Sequence, residues 1–234
     1  DRNYEGSIAN SYIDGERVDL AMRRGPMEVK PIGGLLVGID VARFGDDKTV
    51  VTFRRGRVLL KQIAWSKQDL MQTAARARNE ISAYNMRVEQ IAIDTIGIGA
   101  GVADIMRGWY PDRQDVRNDR VIKTVIDVNS SIRLDDGQHY NLRAYMAAQV
   151  KEWLVGASIP HDQDLRTDLT ALRYGFRAGE LLLESKDDAK RRGIKSPDRF
   201  DSLALTFAVP PAPAVVDTPP PFVSYQPHAP GTGL

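Results

Sequence analysis

Two runs of apolar and small residues, Leu35-Leu36-Val37-Gly38-Ile39 and Ile91-Ala92-Ile93, constrain this chain most, and each ends in an aspartate, Asp40 and Asp94. Runs of this kind read as strands buried on both faces of a sheet, which require covering layers of helix. The surrounding sequence supplies them. Residues 35–40, 49–54 and 58–63 are β-rich segments separated by Gly-Asp-Asp and Arg-Gly turns, the pattern of an antiparallel meander. Residues 68–84 have helical spacing, with Ser66 as N-cap and Leu70, Ala74, Ala77 and Ile81 on one face. A strand over 90–94 that follows this helix should lie parallel to its neighbour. A helix over 99–109, a strand over 121–128, helices over 141–155 and 164–172, and a hairpin over 173–184 turning at Ala178-Gly179 come next. A last helix over 198–207 is stopped by Pro210-Pro211. The expected class is α/β: a mixed sheet with a three-strand antiparallel meander followed by parallel strands, flanked by helices.

Residues 1–33 are polar and irregular, with one short helical candidate around 16–24 and a break at Gly25-Pro26, and read as a lead-in linker. Residues 34–208 form the domain. From 209 to 234 prolines recur without helical or strand periodicity, the pattern of a semi-extended tail. The 32 basic and 31 acidic side chains nearly cancel, so a nucleic-acid site must come from local patches. Without cysteine there are no disulfides, thiolate metal sites or cysteine nucleophiles. No stretch approaches the roughly 18 consecutive apolar residues of a membrane span, and no signal pattern opens the chain. A soluble intracellular protein is expected.

A charge at the end of a buried strand must reach solvent, a partner or a cation, because an isolated buried carboxylate is too unfavourable. The carboxyl ends of strands form the usual functional rim of an α/β sheet, so Asp40 and Asp94 meet there if their strands are neighbours. A third acidic element is Ser196-Pro197-Asp198-Arg199-Phe200-Asp201, with Ser196 as N-cap, Pro197 in the first turn, and Asp198 and Asp201 one turn apart. Oxygen-only ligation by such a group selects hard cations such as Mg²⁺ or Mn²⁺. A pair of ions about 4 Å apart activates a water on one side of a phosphodiester and stabilises the leaving oxygen on the other. Singly, each aspartate has a plainer reading as a turn, a cap or a surface group. Shared placement beside apolar elements favours the metal reading.

In order along the chain, Val37-Gly38-Ile39-Asp40-Val41-Ala42-Arg43-Phe44-Gly45-Asp46-Asp47, Ile93-Asp94-Thr95-Ile96-Gly97-Ile98-Gly99-Ala100-Gly101 and Lys190-Arg191-Arg192-Gly193-Ile194-Lys195-Ser196-Pro197-Asp198-Arg199-Phe200-Asp201-Ser202-Leu203-Ala204 resemble the three acidic motifs of a known family. That family is the nuclease domain of the large terminase subunit of tailed bacteriophages. The resemblance runs from about residue 35 to 207 and includes the helix start at Asn141-Leu142-Arg143. It implies a ribonuclease H-like fold and cutting of concatemeric double-stranded viral DNA in the host cytoplasm, transiently at the procapsid portal. Implied partners are the portal protein, the small terminase subunit and the ATPase domain of the same polypeptide. It also implies catalysis and ligation of two divalent ions, Mg²⁺ or Mn²⁺, by Asp40, Asp94 and Asp201. Related resolvases carry two aspartates three apart on this helix, which adds Asp198 as an accessory ligand. The phosphate loop G-x-x-x-x-G-K-[ST] of the terminase motor is absent from the sequence. With Asp1 in place of an initiator methionine, this fits a nuclease domain separated from its motor.

Basic residues Lys186, Lys190, Arg191, Arg192 and Lys195 precede the acidic helix, and Arg54, Arg55 and Arg57 stand in a hairpin turn. Lys190, Arg191, Arg192, Lys195, Arg54 and Arg55 are candidates for holding the DNA backbone by sequence-independent phosphate contacts, against the alternative of solvated charged loops. Gly97-x-Gly99-x-Gly101 has the wrong spacing for a dinucleotide loop and reads as a turn, flexible and close-packed or plain. Asp46-Asp47 reads first as the hairpin turn. His139, His161 and His228 receive no catalytic role. Two rivals to the nuclease are an actin- or sugar-kinase-like ATPase or phosphotransferase, which needs duplicated domains, and a non-catalytic DNA- or portal-binding module.

Overall fold

The computed structural model describes residues 11–25, 28–42, 47–116 and 120–208. Part of the first acidic motif, Arg43-Phe44-Gly45-Asp46, and the proline-rich tail with His228 lie outside the described residues. In chain order the elements are α1 (Gly15–Arg23), β1 (Leu35–Asp40), β2 (Thr49–Arg55), β3 (Val58–Trp65), α2 (Leu70–Ser82), β4 (Val88–Asp94), α3 (Gly99–Trp109), β5 (Arg113–Asp115), β6 (Arg120–Ile122), β7 (Val125–Val128), α4 (Leu142–Trp153), α5 (Gln163–Ala171), β8 (Tyr174–Arg177), β9 (Glu180–Leu183), α6 (Lys186–Arg191) and α7 (Asp198–Leu205).

The main sheet has five strands in the order β3-β2-β1-β4-β7. β3, β2 and β1 pair antiparallel, and β4 lies parallel to both β1 and β7. This is the mixed sheet expected from the sequence. Because side chains alternate across a strand, β1 sends Leu35, Val37 and Ile39 to one face and Leu36, Gly38 and Asp40 to the other. The first face packs with Ile91 and Ile93 of β4 against α2 and α3. The second lies under a core built from α1, α4, α5 and α7. Ile39 pairs with Ile93, so the next residues, Asp40 and Asp94, leave neighbouring parallel strands side by side.

α7 lies directly on β1. A Cβ added at Gly38 would sit 2.0 Å from the Ser202 carbonyl oxygen, so only glycine admits this approach. The Ser202 hydroxyl lies 3.0 Å from the carbonyls of Gly38 and Val50 and 2.8 Å from Thr52 Oγ1, and Gln62 Nε2 donates to Thr52 Oγ1 at 2.7 Å. A chain of hydroxyls thus satisfies the polar groups in an otherwise apolar contact.

Several expectations need correction. Residues 11–25 are not a linker: Tyr12, Ile13, Val18, Ala21 and Met22 are buried in the core. Tyr12 N donates to the Leu172 carbonyl at 2.7 Å, and Asp19 on α1 accepts two bonds from Arg166 on α5. The helix expected from Ser66 is capped instead by Asp69, in a reciprocal capping box with Gln72. The strand expected over 121–128 is divided between β6, which forms a separate ribbon with β5, and β7. Pro197, not Ser196, is the N-cap of α7, and it makes no side-chain cap. The short helix α6, with Ser185 as its cap, occupies the basic segment to which the sequence assigned no element. The hairpin at Ala178-Gly179 is as expected, with φ of 51° and 79°, the pair of positive values that a tight two-residue turn requires.

Gly38→Ala is expected to lower unfolding free energy by about 3 kcal/mol, the upper range for an overpacked core. Urea denaturation checks this, and a loss below about 1 kcal/mol would show that α7 can retreat from β1 without penalty.

Candidate functional site

Asp40, Asp94 and Asp198 line one open cleft of about 910 Å³, together with Asp47, Lys48, Ser130, Tyr140, Arg143, Arg177 and Lys186. Asp201, buried on α7, does not line the cleft itself but meets Lys186, which does. Asp40 and Asp201 are 7% and 9% exposed, and both carboxylates approach the same ammonium: Lys186 Nζ lies 3.4 Å from Asp40 Oδ2 and 2.9 Å from Asp201 Oδ2. The strand-end pair and the acidic helix therefore meet in one place.

Each carboxylate is held differently. Asp94 Oδ1 accepts from the Ile96 amide at 3.0 Å and Oδ2 from the Ser130 hydroxyl at 3.1 Å. The turn after it is tight, since a Cβ on Gly99 would fall 1.9 Å from the Asp94 carbonyl oxygen, so the glycines here serve close packing. Asp198 Oδ2 accepts from the Lys48 amide at 3.0 Å. Asp201 Oδ1 accepts from Arg143 Nε at 3.0 Å, while Arg143 Nη1 donates to the Glu184 carbonyl.

These surroundings divide the acids electrostatically. Burial pushes Asp40 up to about 7; Lys186 pulls against this, while Asp201, Asp198 and Asp94 add to it. Burial also raises Asp94 and Asp198, against their hydrogen bonds. Asp201 goes the other way, because Arg143 and Lys186 together outweigh its burial. Burial would lower Lys186, but Asp201 and Asp40 outweigh that and hold it protonated. Among the described residues no three acidic or histidine side chains are spaced to enclose an ion as they stand, and the Lys186 ammonium lies between two of the aspartates.

Of the basic candidates, Lys190 reaches across to Asp47 at 3.1 Å and Arg191 pairs with Asp188 on its own helix at 2.7 Å. Arg192 is held by both oxygens of Glu184 at 2.7 and 2.5 Å. Lys195 is exposed. Arg54 must be removed from the DNA-facing set. It is 4% exposed, donates to Thr206 Oγ1, the Thr206 carbonyl and the Gly56 carbonyl, and stacks on Phe207 at 3.9 Å. The strand runs on through Arg55 to a turn at Gly56-Arg57, and strand alternation sends Arg54 inward beneath α7. Arg55 Nε donates to the Gly33 carbonyl at 2.5 Å, so it also serves the fold.

In the sequence Lys186 stands out only as part of a basic cluster facing DNA and Arg143 only as part of a helix start, yet both contact the aspartates directly. For Arg143 a signal existed: a cation in the first turn of a helix opposes the helix dipole and calls for a nearby carboxylate.

The sheet order and the convergence of two strand ends with a C-terminal helix define a ribonuclease H-like α/β domain. No family model matches the chain. Its sequence is similar to the terminase ATPase subunit of Escherichia phage P2, 29% identical over 109 residues that make up 43% of this chain and 18% of that protein. The matched part is therefore a small share of that relative's length. Its structure is similar to the nuclease domain of the large terminase subunit of bacterial virus Sf6, with a TM-score of 0.70 at 18% identity over 86% of this chain and 100% of that one. The large terminase nuclease of thermophilic phage G20c with bound magnesium gives 0.58 at 16% identity over 86% and 97%. At such identities the likeness is one of fold.

Arg54→Ala is expected to destabilise the protein by roughly 1–3 kcal/mol, by leaving buried acceptors unpaired, while DNA binding per folded molecule stays unchanged. Denaturation and fluorescence anisotropy read the two effects, and weaker DNA binding at full stability would reverse the assignment.

Proposed function

We propose that this chain is the endonuclease domain of a phage DNA-packaging terminase and cuts double-stranded DNA by two-metal phosphodiester hydrolysis. The observation that carries the reading is that Asp40, Asp94 and Asp198 line one cleft and Lys186 joins Asp201 to Asp40 beside it, in a fold shared with terminase nuclease domains. The donor set is all oxygen, which suits Mg²⁺ or Mn²⁺, and burial holds the carboxyls of Asp40 and Asp94 above their ordinary range. Asp40, Asp94 and Asp201 would hold the ions, with Asp198 as accessory ligand. When bound, such ions supply an activated water and stabilise the leaving oxygen.

The chain's own residues do the rest. Arg143 keeps Asp201 ionised and oriented, and Ser130 orients one oxygen of Asp94. Lys186, which now contacts both Asp40 and Asp201, would have to release these oxygens to bound cations and would then be free to face phosphate. Lys190, Arg191 and Lys195 on the rim, with Lys48 and Arg177 in the cleft wall, hold the DNA backbone without reading sequence. Arg192 contributes less, being committed to Glu184. Concatemeric viral DNA as substrate, an ATPase domain, portal protein and small subunit as partners, and the host cytoplasm as location follow from the same reading. An actin- or sugar-kinase-like enzyme fits less well, since the described residues form one five-stranded sheet with no duplicated domain. No helix among the described residues is long and apolar enough to cross a membrane.

Purified chain with Mn²⁺ should convert supercoiled plasmid to nicked and linear forms. Asp40→Ala should slow this about 100-fold or more, the scale of losing one electrostatic group at a reacting centre, with an unchanged circular-dichroism spectrum. Plasmid left intact by the wild-type chain over a broad protein range would overturn the reading in favour of a non-catalytic module. Lys186→Ala should bind Mn²⁺ about three- to tenfold more tightly by calorimetry, because an ammonium no longer competes for the same oxygens. Equal or weaker affinity would show that the lysine does not occupy an ion's place.

A further inference from the structure

Asp168, on α5, is a half-buried carboxylate to which the chemistry above gives no task. Its Oδ2 accepts a hydrogen bond from the Arg199 backbone amide at 2.9 Å, across 31 residues of sequence. Every helix leaves its first amides without intrahelical partners, and the N-cap of α7, Pro197, provides no side-chain cap. The missing cap is thus provided from another helix. Arg199 is tied at its other groups as well. Its guanidinium meets Asp162 at 3.0 Å and Asp164 at 3.6 Å, both near the start of α5, and its carbonyl accepts from Gln62 Nε2 of β3 at 2.8 Å. This residue stands between Asp198, which lines the cleft, and Asp201, which meets Lys186 beside it, in the first turn of α7.

We propose that Asp168 is a positioning residue, whose carboxylate caps α7 from α5 and fixes the first helical turn so that Asp198 and Asp201 stand together at the cleft. The role rests on the nuclease reading. It is distinct from the seat of α7 at Gly38, which sets the height of the helix above the sheet, whereas Asp168 acts on the end of the helix that bears the acids. Burial pushes the Asp168 carboxyl up to about 7, with the Arg199 amide pulling it back. A protonated carboxyl still accepts through its carbonyl oxygen, so the cap is present in either form, and an amide of the same shape should replace it.

The test compares Asp168→Ala with Asp168→Asn in the intact chain. Asp168→Ala should lower kcat for Mn²⁺-dependent plasmid cutting about tenfold or more with KM for plasmid within about twofold, as expected for a displaced reacting group. Asp168→Asn should stay within about threefold of wild type in both, because it retains the acceptor. Hydrogen exchange of the metal-free chain should quicken over residues 198–201 in Asp168→Ala and remain as wild type in Asp168→Asn. If Asp168→Ala does not fold, Asp168→Ser takes its place, with a side chain too short to reach the amide. Wild-type kcat in the uncapped variant would overturn the proposal. So would a loss confined to melting temperature, or an asparagine variant as impaired as alanine. Failure of the nuclease reading would be seen separately, as a wild-type chain that cuts no plasmid, and it would remove the catalytic role of Asp168 while leaving its cap visible by exchange.

Discussion

The position of every acidic group depends on how closely helix α7 lies on strand β1. Where most strands carry a side chain facing the covering helix, β1 has Gly38, and the carbonyl of Ser202 occupies the space that a Cβ would take. The hydroxyls of Ser202 and Thr52 then serve the polar groups that this contact buries. Asp40 lies two residues beyond Gly38 on the same face of the strand, and Asp201 directly precedes Ser202. A glycine and a serine therefore set the separation of two carboxylates before either carboxylate exerts any force. Their neighbour Asp94 is placed by the register of the parallel β1–β4 pair, which is fixed by apolar side chains on the opposite face.

Such crowding must be offset electrically, and the protein does so unevenly. Asp201 has both Arg143 and Lys186 and is held ionised, whereas Asp40 shares only Lys186 and is pushed toward its protonated form. One ammonium thus serves two carboxylates, at 3.4 and 2.9 Å. A flexible lysine can leave such a place, unlike Arg143, which is anchored at two acceptors. The fixed cation orients a carboxylate, and the movable one stands where, on the proposed function, a divalent cation would bind.

Much of this arrangement was legible in the sequence, because it rests on periodicity. Uninterrupted apolar runs identified β1 and β4 and placed an aspartate at each end, and the spacing of Asp198 and Asp201 identified one helix face. What escaped had weaker local signals. α6 is six residues long and, apart from Ala189, polar, so it has no apolar stripe to betray it. Arg54 looks like a turn residue beside Arg55 and Gly56, and only the register of β2 sends it inward. The helix α1 seemed too short and polar to belong to the core, yet three of its side chains are buried. Lys186 and Asp168 act across 146 and 31 residues, through contacts that no local pattern encodes.

The central claim is that the four aspartates form a site for divalent cations which Lys186 occupies in their absence. An anomalous-difference map from crystals soaked in Mn²⁺ tests it most directly. Peaks bounded by Asp40, Asp94 and Asp201, with Lys186 moved off both carboxylates, are the expected result. A cleft without peaks at saturating Mn²⁺, with Lys186 still bridging Asp40 and Asp201, would contradict it.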